Sequence, residues 1–142
     1  MHAIGDMRLH SNAKIELLRR VPLFARCSRR ELAHLAAAAD ELDVPAGKTL
    51  AAEGKTGREF VVIVEGAADV RRKGRKINAL GPGDFLGEIA LVTGRPRTAT
   101  VTTTSPSRVL VLTARDFKRL LEEMPPVAVK VLAAVAERLA GD

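Results

Sequence analysis

The chain has 142 residues, a length that fits one domain able to bury its own core. Apolar residues make up 46% and charged residues 28%, which excludes a disordered polymer, and the net charge of +6 favours anionic partners without specifying one. A single cysteine, Cys27, excludes an intramolecular disulfide, and no apolar run approaches the roughly 20 residues that span a bilayer. We expect a soluble, cytoplasmic protein without a membrane span.

Residues 12–39 are predicted to be helical. Apolar residues recur at helical spacing in two segments, Ile15–Leu18 and Leu32–Ala36. Ser28 followed three residues later by Glu31 predicts a capping box, in which each residue satisfies a backbone N–H of the other at the start of the second helix.

Residues 40–113 are predicted to form short strands separated by glycine-rich turns, of which Gly81-Pro82-Gly83-Asp84 is the clearest. Many short strands at regular spacing imply an antiparallel roll rather than a parallel α/β sheet. The predicted strands are Lys48–Ala52, Phe60–Val64, Ala67–Arg72, Arg75–Leu80, Ala99–Thr103 and Arg108–Leu112.

Residues 114–140 are predicted to be helical again. Thr113 and Asp116 fit a second capping box, and Met124-Pro125-Pro126 must interrupt the helix because proline lacks the N–H donor. The fold class is therefore α+β, a jelly-roll-like antiparallel β-roll flanked by N-terminal and C-terminal helices in a single domain, residues 1–142. The final helix is predicted to place one apolar stripe, most simply core, on Val127, Val131, Leu132, Val135 and Leu139.

Phe85–Val101 is the segment that indicates a binding site. Gly87–Leu91 can form one helical turn between strands, and its first backbone N–H groups would face an anion. Arg97 can bind a phosphate bidentately, and Glu88 can accept a hydrogen bond from a sugar hydroxyl. The pair alone would equally fit a surface salt bridge worth about 0–1 kcal/mol. The surrounding glycine and proline pattern favours the binding site.

This segment resembles the phosphate-binding cassette of the cyclic nucleotide-binding domain, the module of catabolite activator proteins, cyclic-nucleotide-dependent kinases and gated channels. The resemblance implies that Arg97 and the backbone amides around Gly87 and Ala90 bind the cyclic phosphate. It implies that Glu88 binds the ribose 2′-hydroxyl. The family's structural glycine pattern is matched by Gly47, Gly54, Gly57, Gly66, Gly81 and Gly83.

The same resemblance leaves the base open. Thr98 occupies a position that can contact the phosphate and, with a syn guanine, the base amino group. Threonine at this position is compatible with both cAMP and cGMP as the ligand. Leu86 departs from the family, which often has an aromatic residue there.

A lid over the base is implied by the family's C-terminal helix, which closes over the purine. The candidate lid residues are Leu132, Val135, Leu139 and the stem of Arg138. Leu91 matches a position that relays ligand binding to the helix containing Phe117 and Leu120, with Met124–Pro126 as a candidate hinge. We expect ligand to shift the C-terminal helices between two arrangements.

Other functional classes are less well supported by the residues. The basic run Arg71–Lys76 is interpreted as a solvated hairpin tip rather than a polyanion or membrane contact. No helix-turn-helix pattern is present, so no direct DNA binding is expected. The histidines lack ligand spacing, so no metal or cofactor is assigned, and no catalytic pair indicates an enzyme. Cys27 precedes a helix, which would lower its pKa if the sulfur pointed there, but a structural thiol is favoured.

We thus expect a receptor module for cAMP or cGMP that regulates an unidentified protein partner. One alternative is a regulatory domain excised from a larger channel, kinase or transcription factor. Another alternative is a scaffold of the same fold that binds no ligand. The sequence does not indicate the oligomeric state.

Overall fold

The computed structural model describes residues 10–87 and 93–141, and their contacts separate two compact units. The β unit contains Asp40–Ala114, and the helical unit combines Leu9–Ala39 with Arg115–Asp142. The predicted α+β class, an antiparallel roll with flanking helices, is confirmed. Of the short helix predicted at Gly87–Leu91 in the cassette, residues 88–91 lie outside the described part of the chain.

The β unit consists of two four-stranded antiparallel sheets in the described chain. The strands are β1 (Asp40–Val44), β2 (Thr49–Ala51), β3 (Glu59–Glu65), β4 (Ala68–Arg72), β5 (Arg75–Leu80), β6 (Phe85–Leu86), β7 (Thr100–Thr103) and β8 (Ser107–Thr113). One sheet has the order β1-β8-β3-β6, and the other has the order β2-β7-β4-β5.

Alternate side chains from both sheets form one aliphatic core. Val61 and Ile63 of β3 pack in the same cluster as Ala68 of β4 and Val101 of β7. Side chains alternate across a strand, so each sheet presents one such row to the core. The other buried members of this cluster are Ala51, Leu86, Val109 and Val111.

Two strands of the roll were not predicted from the sequence. β6 has only two residues, which are too few to show a pattern. β1 contains the acidic residues Asp40, Glu41 and Asp43. The structure explains the charges in β1, since Arg108 of β8 is only 3% exposed and its Nε lies 3.1 Å from Asp43 Oδ1 and 3.4 Å from Glu41 Oε2. A buried guanidinium requires such carboxylate partners.

Turn chemistry agrees with the predicted glycine positions. Lys73 and Gly74 connect β4 to β5 as a two-residue turn with φ of 52° and 79°, as a right-handed twisted hairpin requires. In the next turn, the Asp84 carboxylate accepts the Gly81 N–H at 2.8 Å. Asp84 therefore has a structural role in this turn.

The helical unit contains α1 (Ser11–Arg19), a 3-10 turn (Pro22–Phe24), α2 (Arg29–Ala38), α3 (Ala114–Glu123) and α4 (Pro125–Gly141). The capping box of Ser28 and Glu31 is confirmed, and α3 and α4 are separated at Met124 as predicted.

The predicted apolar stripe on α4 is wrong at Leu132. Val127 and Val131 are buried, whereas Leu132 is 69% exposed. Residues four apart share a face of a helix, and the next residue is rotated by about 100° away from that face. The buried stripe therefore follows Val127 and Val131, and Leu132 does not belong to the core.

Candidate functional site

The backbone of Arg97 is held by the glycine-rich loop between β2 and β3. The Gly54 N–H donates to the Arg97 carbonyl oxygen at 2.8 Å, and the Arg97 N–H donates to the Lys55 carbonyl oxygen at 2.8 Å. Thr56 and Pro96 form a further isolated bridge in the same antiparallel register. This pairing places the Arg97 side chain at a defined point of the β unit.

The guanidinium of Arg97 lies against two glycines. Its Nη2 donates to the carbonyl oxygen of Glu59. A Cβ at Gly57 would overlap the Arg97 side chain. A Cβ at Gly87 would overlap the same guanidinium and lie 2.6 Å from the Glu59 oxygen, and its φ of +86° also favours glycine. Glycine at both positions creates the space that the arginine occupies.

Arg97, Thr98 and Gly87 line one cavity of about 240 Å³ in the β unit. The structure therefore brings together three of the residues that the sequence predicts for the phosphate. Glu88 and Ala90, predicted for the ribose and the phosphate, lie outside the described residues. The remaining wall consists of Arg72 and the apolar residues Ala51, Val70, Ile77, Leu80, Phe85, Leu86, Ala99 and Val101.

The described wall of this cavity has cationic side chains and no acidic one, since its charged members are Arg72 and Arg97. Arg97 also lines a second cavity of about 190 Å³. The other charged residues that line this second cavity are Lys55, Arg58 and Glu59. Guanidinium groups with apolar surroundings attract anions more strongly than they would in bulk water. The cavity is suited to an anionic ligand with an apolar part.

The predicted lid residues belong to α4 of the helical unit. Leu132 is exposed and Val135 is half-buried, whereas the side chains of Arg138 and Leu139 lie outside the described residues. Leu91, the predicted relay, also lies outside them. The roles of all these residues stay predictions.

Cys27 has none of the features of a reactive thiol. It is 4% exposed, and burial, reinforced by the negative charge of Glu31, raises its pKa to about 11 despite the opposing charge of Lys130. A neutral buried thiol is a poor nucleophile. Its position just before α2 therefore does not activate it.

The described residues contain no group of three or more His, Cys, Asp or Glu side chains placed to hold a metal ion. None of their helices is long and apolar enough to cross a membrane.

The comparison with known proteins agrees with the geometry. The N-terminal domain of a transcriptional regulator from Streptomyces coelicolor A3(2) superimposes with a TM-score of 0.81 at 36% identity, covering 88% of this chain and 93% of that domain. The sequence pattern of the cyclic nucleotide-binding domain matches residues 41–124. The chain belongs to the cyclic nucleotide-binding domain family. Such domains are regulatory rather than catalytic modules.

The curated relatives of this cyclic nucleotide-binding domain are longer proteins, and the matching region is a part of each. The chain is 34% identical over 126 residues to a cyclic nucleotide-gated potassium channel of Rhizobium etli, covering 89% of this chain and 35% of the channel. It is 36% identical over 110 residues to a cAMP-dependent protein kinase regulatory subunit of Mycosarcoma maydis, covering 71% of this chain and 21% of the subunit. The chain thus spans about a third or less of these relatives' lengths.

Sequence reasoning missed three contributors to the site of this cyclic nucleotide-binding domain. Gly57 was recognised in a glycine pattern, but its contact with Arg97 depends on the folded loop. The Glu59 contribution is a backbone carbonyl, which no side-chain pattern reveals. Arg72 belongs to the basic run that is predicted to be a solvated hairpin tip. Side-chain alternation along β4, however, places Arg72 and Val70 on the same face of the strand.

Proposed function

We propose that this domain binds cAMP or cGMP in the cavity of the β unit, without catalysis, and so regulates a protein partner. The observation that carries the proposal is the fixed guanidinium of Arg97 at a cavity with an otherwise largely apolar wall. Arg97 binds the cyclic phosphate, and its contacts with Gly57 and Gly87 orient it before ligand arrives. An anchor oriented in advance loses little conformational freedom on binding.

The other polar contacts come from the cassette. Backbone amides around Gly87 and Ala90, together with Thr98, complete the phosphate site, and Glu88 accepts a hydrogen bond from the ribose 2′-hydroxyl. The purine lies on the apolar wall near Val70. The candidate lid over the base consists of Leu132, Val135, Leu139 and the stem of Arg138.

Binding without catalysis is proposed because the chain belongs to a family of regulatory modules. The charged side chains of the described cavity wall are Arg72 and Arg97. Arg97 and Arg72 are always protonated and serve as donors only. Such a wall can hold a phosphodiester, and the carboxylate that the proposal places beside it, Glu88, is assigned to the ribose hydroxyl.

What nucleotide binding controls is proposed from the names of the two relatives above. One is called a cyclic nucleotide-gated channel and another a cAMP-dependent protein kinase regulatory subunit. In each, the matching region is a minor part of the protein. We infer that nucleotide binding here controls a separate domain or partner rather than a reaction in this domain.

Titration calorimetry with cAMP and cGMP tests the site. Arg97→Ala is expected to weaken binding by about 30-fold or more, because truncating a charged anchor costs about 2 kcal/mol or more. The matched control is Arg95→Ala, which removes the same charge from an exposed side chain two residues away. Failure of the wild type to bind either nucleotide would favour a ligand-free scaffold. Equal affinities of wild type and Arg97→Ala would exclude this site.

A further inference from the structure

Arg72 is part of the wall of the cavity, although it belongs to the basic run at the β4–β5 hairpin. Its Nε donates to the carbonyl oxygen of Thr98 at 3.1 Å. It is two residues after Val70 on β4, and both line the cavity together with Ile77 of β5. Arg72 therefore lies beside the apolar part of the wall as well as beside Thr98.

The hydrogen bond to Thr98 leaves the outer end of the guanidinium available. Within the described residues, Arg72 forms only that bond, made by Nε, so its Nη1 and Nη2 donors have no protein partner there. An arginine presents these donors as a rigid planar fork. A ligand lying on Val70 and Ile77 would thus meet a pair of donors at its edge.

We propose that Arg72 selects guanine over adenine, so that the domain prefers cGMP to cAMP. The inference rests on the proposed function. Guanine presents two acceptors, O6 and N7, on one edge, which a guanidinium can bind bidentately. Adenine presents N7 beside the N6 amino group, a donor that opposes the donors of Arg72. In the described wall, no acidic or amide side chain is present to accept the adenine amino group.

Calorimetric titration of cGMP, cAMP and inosine 3′,5′-cyclic monophosphate tests this selection. The inosine compound keeps O6 and N7 but lacks the guanine 2-amino group, which separates a contact by Arg72 from one by Thr98. Arg72→Ala is expected to weaken cGMP and the inosine compound by about 10-fold each and cAMP by less than about 2-fold. Arg72→Lys keeps the charge without the fork and is expected to lose most of the preference.

The control is Arg71→Ala, which removes the same charge from the neighbouring position, where the side chain pairs with Asp69 at 3.6 Å and does not line the cavity. It is expected to leave all three affinities unchanged. Equal weakening of cAMP and cGMP by Arg72→Ala would overturn the inference and assign Arg72 to the phosphate. No weakening of either nucleotide would overturn it as well, while leaving the proposed function intact. Wild-type protein that binds no nucleotide would overturn both.

Discussion

Arg97 depends on two residues that have no side chain. Gly57 and Gly87 lie against its guanidinium, and any Cβ at either position would occupy the same space. Gly57 differs from Gly87 because its backbone does not have a positive φ, so alanine is conformationally allowed there. A substitution at Gly57 thus tests the position of Arg97 separately from backbone strain.

Gly57→Ala is expected to weaken nucleotide binding by about 10-fold, roughly one charge-assisted hydrogen bond, because the new methyl group displaces the guanidinium. Its thermal unfolding midpoint is expected to change little. Calorimetry and circular dichroism measure the two effects. The control is Gly81→Ala, which also lacks a positive φ and has no atom within 4 Å of the added Cβ. Unchanged nucleotide affinity in Gly57→Ala would contradict the proposed role of Arg97.

At the scale of elements, α2 and α4 are joined by one buried carboxylate. Glu31 of α2 accepts from Lys130 Nζ of α4 at 2.6 Å and from the Ser28 N–H at 2.7 Å. These two hydrogen bonds, that of Lys130 first, lower the pKa of Glu31 below its ordinary value of 4.5. A single residue therefore caps one helix and binds the other.

The pH dependence of stability follows from that shift. A carboxyl group with a lowered pKa in the folded state stabilises the protein above pH 4.5 and loses this contribution as the pH falls through its folded pKa. Glu31→Gln is expected to be less stable than wild type at neutral pH, and the difference should shrink in acid. Urea denaturation from about pH 7 to about pH 3 measures it.

Glu16→Gln is the matched control for this experiment. Glu16 is exposed and pairs with Arg19 three residues away on α1, a contact of small energetic value. The free energy of unfolding of Glu16→Gln is expected to stay close to that of wild type throughout the same pH range. A Glu31→Gln difference that does not shrink in acid would refute the assignment of the pH dependence to this carboxylate.

At the scale of the whole molecule, the proposed site lies in the β unit and the predicted lid and hinge lie in the helical unit. Regulation requires that ligand in one unit change the other, and ligand can do so only if it binds one helix arrangement more tightly. Met124, between α3 and α4, is the interruption at which such a change can occur.

Saturating nucleotide is therefore expected to change the backbone amide chemical shifts of α3 and α4 as well as those around Arg97. Nuclear magnetic resonance with and without ligand measures this. Arg97→Ala at the same nucleotide concentration provides the control and is expected to resemble the free protein. Identical helix shifts in free and nucleotide-bound wild type would rule out this mode of signalling.

Much of the fold was predictable because its signals are local. The capping box at Ser28, the break at Met124 and the turn at Lys73–Gly74 each depend on residues within a few positions of one another. Strand β1 was not predictable, because its acidic residues are compatible with a strand only beside buried Arg108, 65 positions from Asp43 along the chain. Leu132 was misassigned because a one-residue error in helix phase moves a side chain to another face.

The sequence by itself determined the family, the succession of helices, β-roll and helices, and the prediction that Arg97 binds an anion. These depend on residue types at fixed spacing, which the chain carries before it folds. Only the tertiary structure decided that Gly57 and Glu59 hold Arg97 in place and that Arg72 shares its cavity. These residues are 38 to 40 and 25 positions from Arg97, so their contacts exist only after the strands pair.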